Sequence, residues 1–287
     1  MRTFKGCGTA LVTPFKADGS LDENTFRKLV RRQIDEGVHF LVPCGTTGES
    51  PTLSHEEHLR VVEITVEEAK GTTPVLAGAG GYCTADVVEL AKEVQTLGAD
   101  GILSVTPYYN KPTQEGLYLH YQKVAAAIDI PIVLYSVAGR TGVNIEPATL
   151  KRLTEIDNIV AIKEASGMLG QMTRIRALTP NVTLLSGDDL LTSAVLGIGG
   201  EGVISVVSNV APKDMSQLAE TNDFALTTRL LGLMDALFVE SNPIPVKAAM
   251  AMMGLLEPVW RLPLCAPQPA TEAKLRQVLA DLELLNA

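Results

Sequence analysis

Cysteine pairs are missing from this chain of 287 residues, which contains four widely separated cysteines, Cys7, Cys44, Cys83 and Cys265. Without a C-x-x-C pair, the spacing fits neither a structural zinc site nor a redox dithiol. We therefore expect no metal site. Cys7 and Cys44 lie in apolar runs that we predict to be strands, and both should be buried free thiols. Free thiols are typical of a reducing compartment, so a cytoplasmic location is predicted.

The sequence also lacks an excess of positive charge and a long apolar segment. The 24 Lys and Arg residues face 33 Asp and Glu residues, and the net charge of −9 is the opposite of a nucleic-acid-binding surface. The apolar run near the start is short and is interrupted by Pro14, unlike a secretion signal. No stretch approaches the roughly 18 apolar residues that cross a bilayer. We expect neither nucleic-acid nor membrane partners.

Eight apolar runs rich in β-branched residues alternate with stretches of helical periodicity. We predict strands at residues 6–13, 40–46, 74–80, 101–107, 131–137, 159–165, 182–188 and 202–208. Nearly continuous apolar strands that alternate with helices indicate a parallel sheet covered on both faces. Eight repeats predict an α/β fold of the (β/α)8 TIM barrel type, for which the chain length is typical.

Two helices have clear start signals or periodicity. Residues 22–37 and 54–71 show amphipathic patterns. Ser54 is followed three residues later by Glu57, the spacing of a capping box. Gly71 is a plausible stop signal for this second helix.

An open, doubly wound sheet is the alternative architecture. The sequence has no G-x-G-x-x-G after its first strand, so the dinucleotide-binding version of that fold loses its main support. After about residue 225 the pattern predicts three helices, within 226–240, 245–256 and 270–287. We therefore divide the chain into a barrel over 1–224 and a C-terminal helical domain over 225–287.

Polar clusters follow several predicted strands, and in such barrels the active site lies at the carboxyl ends of the strands. Lys163 continues the apolar run 159–162. A buried ammonium is costly unless it is paired or loses its proton. Lys163 is therefore either a structural lysine, paired with a carboxylate or reaching solvent at the strand end, or a nucleophile that forms a Schiff base. Its position alone leaves both roles open.

Side-chain alternation places small residues beside this lysine. If Lys163 points into the barrel, Ala161 and Ala165 point inward too, whereas Ile162 and Glu164 point outward. The two alanines would leave space for a ligand beside the amine.

The preceding strand carries a tyrosine at a matching height. Val133, Tyr135 and Val137 share one face, so Tyr135 could stand beside Lys163. A phenol in that place could move protons to and from a carbinolamine. The alternative role is a core tyrosine with a satisfied hydroxyl.

Other polar features carry weaker signals. The glycine-rich segment 45–50 could hold a carboxylate with its backbone N–H groups or could simply be a tight turn. Arg140 on a mouth loop suits a substrate carboxylate, the alternative being a surface salt bridge. We interpret 197–202 as a turn without phosphate-binding function. His55 and His58 lie three apart on a helix without a third ligand, so surface or interface positions are expected.

Together these segments resemble the dihydrodipicolinate synthase family, within the larger N-acetylneuraminate lyase-like superfamily of Schiff-base barrels. The resemblance covers essentially the whole chain. It is carried in order by GCGTALVTPF, CGTTGES, TPYYNKPTQEGLYLHY, YSVAGRTG, AIKEASG, LLSGDD, GVISVVSNV, FVESNPIPVK and RLPL.

The resemblance implies a set of catalytic residues. Lys163 would form the imine with pyruvate, and Tyr135, Thr46 and Tyr109 match the family's proton-relay triad. Thr46 and Thr47 match the pair that holds the pyruvate carboxylate. In the family, the tyrosine at the position of Tyr109 reaches into the neighbouring subunit's site, so an intact dimer would be needed for activity.

The resemblance also implies a second substrate. Arg140 matches the arginine that binds the carboxylate of aspartate 4-semialdehyde, and sialic acid lyases generally lack it. Gly187 and Ile204 match positions that line the lysine pocket. Ser136 and Ala138 depart from the family, which more often has Asn and Pro there; this change could reshape the loop.

A feedback site for lysine at the dimer interface is common in the family. The matching positions here are Ser50, Pro51, His55, His58, Tyr82, Asp86 and Tyr108. Inhibited members usually have Asn where Tyr82 stands and an acidic residue, commonly Glu, where Asp86 stands. Because Tyr82 is bulky and lacks an amide, we predict weak or absent inhibition by lysine.

The activity implied by the resemblance is that of a lyase in lysine and diaminopimelate biosynthesis, which condenses pyruvate with L-aspartate 4-semialdehyde. No cofactor is expected, because the imine itself supplies the electrophile. The family's usual assembly implies a homotetramer built as a dimer of dimers. The alternatives are an aldolase for a 2-keto-3-deoxy sugar acid or sialic acid in the same superfamily, and a non-catalytic 2-keto-acid-binding protein.

Overall fold

The eight predicted strands are all present in the computed structural model, which describes residues 4–285. They are β1 (Gly6–Ala10), β2 (Phe40–Val42), β3 (Leu76–Gly78), β4 (Gly101–Val105), β5 (Ile132–Ser136), β6 (Ile159–Glu164), β7 (Thr183–Ser186) and β8 (Gly202–Ser205). Every named pairing between them is parallel.

The sheet curls into a nearly closed barrel. Strand β1 pairs with both β2 and β8, and the remaining strands follow in chain order from β8 down to β3. Between β2 and β3, the parallel bridge of Leu41 with Val75 closes the ring. The expected (β/α)8 TIM barrel is confirmed.

Helices alternate with the strands and continue beyond the barrel. They are α1 (Glu23–Asp35), α2 (His55–Ala69), α3 (Thr84–Thr96), α4 (Gln114–Ala125), α5 (Ala138–Thr141), α6 (Pro147–Leu153), α7 (Leu169–Leu178), α8 (Thr192–Gly197), α9 (Pro212–Thr221), α10 (Phe224–Ala236), α11 (Ile244–Met252) and α12 (Pro269–Asp281). Short 3-10 helices lie at Ser50–Thr52 and Val207–Asn209.

The start of α2 follows the predicted capping box. The Ser54 hydroxyl accepts a hydrogen bond from the Glu57 N–H at 3.2 Å, and the Glu57 carboxylate accepts one from the Ser54 N–H at 2.9 Å. The helix ends at Ala69, two residues before the expected Gly71, because Lys70 itself takes the left-handed conformation as C-cap.

The strands end earlier than the apolar runs do. Strand β2 stops at Val42, so Cys44, which lies inside the predicted strand 40–46, falls outside the observed strand and has a positive φ of 56°. Cys44 remains buried, and both Cys7 and Cys44 are free thiols as predicted. The apolar pattern overestimates strand length because residues just past each strand stay buried in the bends around the barrel mouth.

Each face of the sheet packs against its own apolar cluster. Ala161, Val133 and Tyr135 belong to the cluster inside the barrel, whereas Ile162 belongs to the cluster between sheet and helices. Glu164 also points outward, where its carboxylate accepts a hydrogen bond from Gln171 at 2.7 Å. The inward and outward alternation predicted for β5 and β6 is confirmed.

The C-terminal helices α10, α11 and α12 match the three expected ones, with residues 286 and 287 of the last prediction outside the described residues. They share one apolar cluster with α9 and with side chains of β1 and β8, such as Cys7 and Val203. The division of the chain at residue 224 stays a prediction.

Candidate active site

Lys163 lies next to the end of β6, at the floor of a cavity of about 550 Å³. Residues at or just after the carboxyl ends of most strands line this cavity, including Ala10, Val42, Val137 and Gly187. Side chains from α10, α12 and the segment before α11 complete it. Lys163 is thus placed at the barrel mouth, where the sequence predicted it.

The amine of Lys163 has no salt bridge or hydrogen bond to any residue within 4–285, although the residue is only 6% exposed. The Nζ atom lies 4.2 Å from the centroid of the Tyr135 ring. The neighbouring Glu164 faces away, and burial raises the pKa of its carboxyl. A structural ion pair therefore does not explain this lysine.

Tyr135 stands directly beside Lys163, because the two residues are register partners in the β5–β6 pair. Its backbone carbonyl accepts a hydrogen bond from the Thr106 N–H at 3.0 Å. Its hydroxyl has no hydrogen-bond partner among the described residues, and the side chain lines the cavity. The structure gives no support to a core tyrosine with a satisfied hydroxyl.

Gly187 provides the space that the lysine chain occupies. A Cβ at this position would lie 3.1 Å from Lys163 Cε and 2.6 Å from Ala165 Cβ. Ile204 belongs to the interior cluster and is buried, but it is not among the residues that line the cavity.

The glycine-rich segment forms a tight turn on one wall. The Gly48 N–H donates to the Gly45 carbonyl at 3.1 Å, and the Glu49 N–H donates to the Thr46 carbonyl at 3.1 Å. This turn presents both Thr46 and Thr47 to the cavity.

Arg140 also lines the cavity, from the single turn of α5. Its Nη2 donates a hydrogen bond to the carbonyl of Asn242 at 3.1 Å. Neither of the two departures from the family pattern lines this cavity. Ser136 is buried on the outer face, where its hydroxyl bonds Asn144 at 3.2 Å, and Ala138 begins α5.

A second cavity, of about 950 Å³, meets the first at Thr46, Tyr135 and Arg140. Tyr109 lines this second cavity rather than the first, and it is 92% exposed with a left-handed φ of 71°. Within one chain, Tyr109 therefore does not join the set around Lys163.

The seven positions matched to a lysine site are only partly brought together. The second cavity is lined by Ser50, Pro51, His58 and Tyr108, but not by His55, Tyr82 and Asp86. The ring of Tyr82 packs edge-on against Tyr108, with centroids 5.5 Å apart.

Both histidines were expected at surface or interface positions. His55 lies at the surface with its ring 3.0 Å from Glu93, whereas a surface position is wrong for His58, and its place at an interface stays a prediction. His58 is buried, and its Nε2 lies 2.8 Å from the Gly78 carbonyl. Burial lowers the pKa of His58. The sequence pattern missed this because His58 falls on the inner side of α2.

Sequence reasoning assigned no role to several polar residues that hold this mouth together. Asn242 bonds both Thr47 and Arg140. Glu49 and Lys247 form a fully buried ion pair of 2.5 Å. These residues lie in the matching segments CGTTGES and FVESNPIPVK, whose family resemblance was the only available signal.

Neither a cation cage nor a membrane helix is found within the described range. No group of three or more His, Cys, Asp and Glu side chains could hold a metal ion in residues 4–285. No helix in the same part of the chain is long and apolar enough to span a bilayer.

The profile of the Dihydrodipicolinate synthetase family matches residues 3–283. The chain belongs to this family. A curated 4-hydroxy-tetrahydrodipicolinate synthase from Koribacter versatilis is 53% identical to it, over 98% of this chain and 97% of that protein. The family suggested by the sequence segments is thereby confirmed.

Two solved structures are similar over nearly the whole fold. The chloride-inhibited dihydrodipicolinate synthase from Acinetobacter baumannii, complexed with pyruvate, is 43% identical, covers 99% of this chain and 100% of that chain, and has a TM-score of 0.96. The enzyme from Cyanidioschyzon merolae with lysine bound is 40% identical, covers 98% and 99%, and has a TM-score of 0.95.

Proposed function

We propose that this family member is a 4-hydroxy-tetrahydrodipicolinate synthase, which condenses pyruvate with L-aspartate 4-semialdehyde. The observation that carries the proposal is the buried amine of Lys163 beside the hydroxyl of Tyr135, neither of which has a hydrogen-bond partner within residues 4–285. A site built only to bind a keto acid has no need of this pair. The relatives' names and the pyruvate complex of a similar structure support the substrates.

The first half of the mechanism forms an enamine. The amine form of Lys163 attacks C2 of pyruvate, whose carboxylate binds at the Thr46–Thr47 turn. Tyr135 transfers protons as the carbinolamine loses water and becomes an imine. The imine nitrogen then accepts the electron pair that remains when the methyl group of pyruvate loses a proton.

The second half closes the ring. The enamine carbon adds to the aldehyde of aspartate semialdehyde, whose carboxylate Arg140 orients by charge-assisted hydrogen bonds. The amino group of the new adduct attacks the imine carbon and displaces the Lys163 amine. Every bond is made with side chains of the barrel mouth and the two substrates, and the scheme calls for no cofactor.

The exposure of Tyr109 supports a role for a second copy of the chain. Its side chain is 92% exposed and lies outside the cavity that contains Lys163, so it is accessible to a neighbouring copy of the chain. We propose that it completes the relay in a neighbouring subunit. The tetramer, and the cytoplasmic location, stay predictions.

The decisive experiment combines product formation with trapping. Purified protein with pyruvate and aspartate semialdehyde should form the cyclic product, and borohydride should link pyruvate to the wild type but not to Lys163→Ala. Lys5→Ala, which removes an exposed amine that pairs with Glu201, should label as the wild type does. Labelling of Lys163→Ala would refute the nucleophile, and trapping without the cyclic product would favour the aldolase alternative.

The same assay tests regulation. Because Tyr82 occupies the place of an amide and packs on Tyr108, we expect no inhibition by L-lysine at submillimolar concentration. Inhibition in that range would contradict the prediction. In that case Tyr82 does not prevent lysine from binding, and Tyr82→Asn should be no more sensitive to L-lysine than the wild type.

A further inference from the structure

Asn242 reaches the cavity from the segment before α11, and it is 6% exposed. Its Nδ2 donates a hydrogen bond to Thr47 Oγ1 at 3.0 Å. An amide nitrogen has no lone pair to offer, so the Thr47 hydroxyl must be the acceptor. The single hydroxyl hydrogen of Thr47 is then directed away from Asn242.

No other described residue takes that hydrogen. Thr47 Oγ1 has no further hydrogen bond within residues 4–285, and Thr47 lines the cavity. A hydroxyl that is held as an acceptor on one side is therefore free to donate on the other. A carboxylate accepts only, so the bond from Asn242 prepares Thr47 for an anionic ligand.

The rest of the Asn242 amide is poorly satisfied. Its Oδ1 is buried and has no hydrogen-bond partner among the described residues. An unpaired buried acceptor lowers stability, and such a group calls for an explanation other than packing. Within residues 4–285, the one hydrogen bond of this side chain goes to Thr47.

We propose that Asn242 is a positioning residue that sets the hydrogen-bond direction of Thr47 and so strengthens binding of the pyruvate carboxylate. The inference rests on the proposed function, since that assigns Thr47 to pyruvate. The backbone carbonyl of Asn242 accepts a hydrogen bond from Arg140. A side-chain substitution leaves that carbonyl in place, so aspartate semialdehyde binding serves as an internal reference.

The test is a double-mutant cycle with neutral side chains of similar size. Asn242→Leu removes the donor and should raise the KM for pyruvate about tenfold, with a smaller change in the KM for aspartate semialdehyde. Thr47→Val removes the hydroxyl. In the Thr47→Val background, Asn242→Leu should change the KM for pyruvate less than about twofold, because the coupling is gone.

Asn242→Asp keeps the shape and reverses the bond, since its carboxylate takes the Thr47 hydrogen. It should raise the KM for pyruvate more than Asn242→Leu does, and it provides a second variant if leucine impairs folding. The proposal is overturned if the leucine effect persists undiminished without the Thr47 hydroxyl, or if both KM values change equally.

Failure of the proposed function would give a different result. A wild type that traps pyruvate with borohydride but forms no cyclic product refutes the second substrate. The concentration of pyruvate at half-maximal trapping still reports on Asn242 and Thr47 in that case.

Discussion

Tyr135 acts, in the proposed mechanism, through a hydroxyl that no described residue engages. Tyr135→Phe should reduce kcat by about 10²–10⁴-fold, because it removes the group that carries protons to and from the carbinolamine. Steady-state rates with both substrates measure this loss. A change of less than about twofold would return Tyr135 to a packing role.

Tyr121 offers a matched control for this substitution. It is a fully buried tyrosine whose hydroxyl donates to the Ser104 carbonyl at 3.2 Å, away from the cavity. Tyr121→Phe should lower the free energy of unfolding by about 1 kcal/mol and leave kcat within about twofold of the wild type.

Gly187 is a second position where the addition of a single methyl group should affect the reaction. In Gly187→Ala the new methyl group meets Lys163 Cε and Ala165 Cβ, both within 3.1 Å. Because the lysine chain must move, we expect the rate of imine formation with pyruvate to fall about tenfold or more. Borohydride trapping as a function of time measures it.

Gly197 in α8 is the matched control, since a Cβ there meets nothing within 4 Å. Gly197→Ala should leave trapping unchanged and increase the free energy of unfolding by up to about 1 kcal/mol, because alanine favours the helix. A Gly187→Ala enzyme that traps pyruvate at the wild-type rate would show that the lysine pocket has spare room.

At the scale of elements, α11 is tied to the turn that carries Thr46 and Thr47. Lys247 on α11 and Glu49 at the end of the turn are both 0% exposed and lie 2.5 Å apart. Burial lowers the pKa of Lys247, and the Glu49 carboxylate opposes that shift. The C-terminal helices therefore help to fix one wall of the active site.

Breaking this pair should destabilise the protein strongly. Lys247→Met leaves the Glu49 carboxylate buried without its cation, which costs about 3–5 kcal/mol in such pairs. Urea unfolding measures the change. Lys5→Met, which removes an exposed ammonium 2.8 Å from Glu201, should cost under about 1 kcal/mol.

The double variant Lys247→Met/Glu49→Gln completes the comparison. With both charges removed, most of the loss should be recovered, because no uncompensated charge stays buried. A Lys247→Met protein as stable as the wild type would show that solvent reaches Glu49.

For the whole molecule, the sequence predicted the features that follow from apolar periodicity and missed the contacts between residues that are distant in sequence. Apolar alternation placed all eight strands and put Ala161, Lys163 and Tyr135 on the inner face. It could not show that Asn242 would bond Thr47, 195 residues away in sequence. Such contacts depend on how loops and helices close over the barrel, which local patterns do not encode.

The sequence pattern also did not predict how exposed an individual side chain is. The same environment was expected for His55 and His58, although of the two only His58 turns toward the β3 end of the sheet and is buried there. The family resemblance pointed to Tyr109 as a relay residue. Only the fold shows that its side chain lies outside the cavity that contains Lys163.

The role of Tyr109 can be tested by mixing two inactive variants. Lys163→Ala lacks the nucleophile, and Tyr109→Phe lacks the hydroxyl that we propose enters a partner's site. In a hybrid dimer, one site carries both defects and the other carries neither. Random exchange of equal amounts should therefore restore about a quarter of the wild-type activity.

Lys163→Ala mixed with Tyr135→Phe is the matched control for subunit exchange. Lys163 and Tyr135 line the same cavity of one chain, so each site of that hybrid retains one defect and no activity should be gained. If the Tyr109→Phe mixture also gains nothing after exchange, then Tyr109 serves its own chain. Because Tyr109 lies outside the Lys163 cavity in the single chain, we expect the gain.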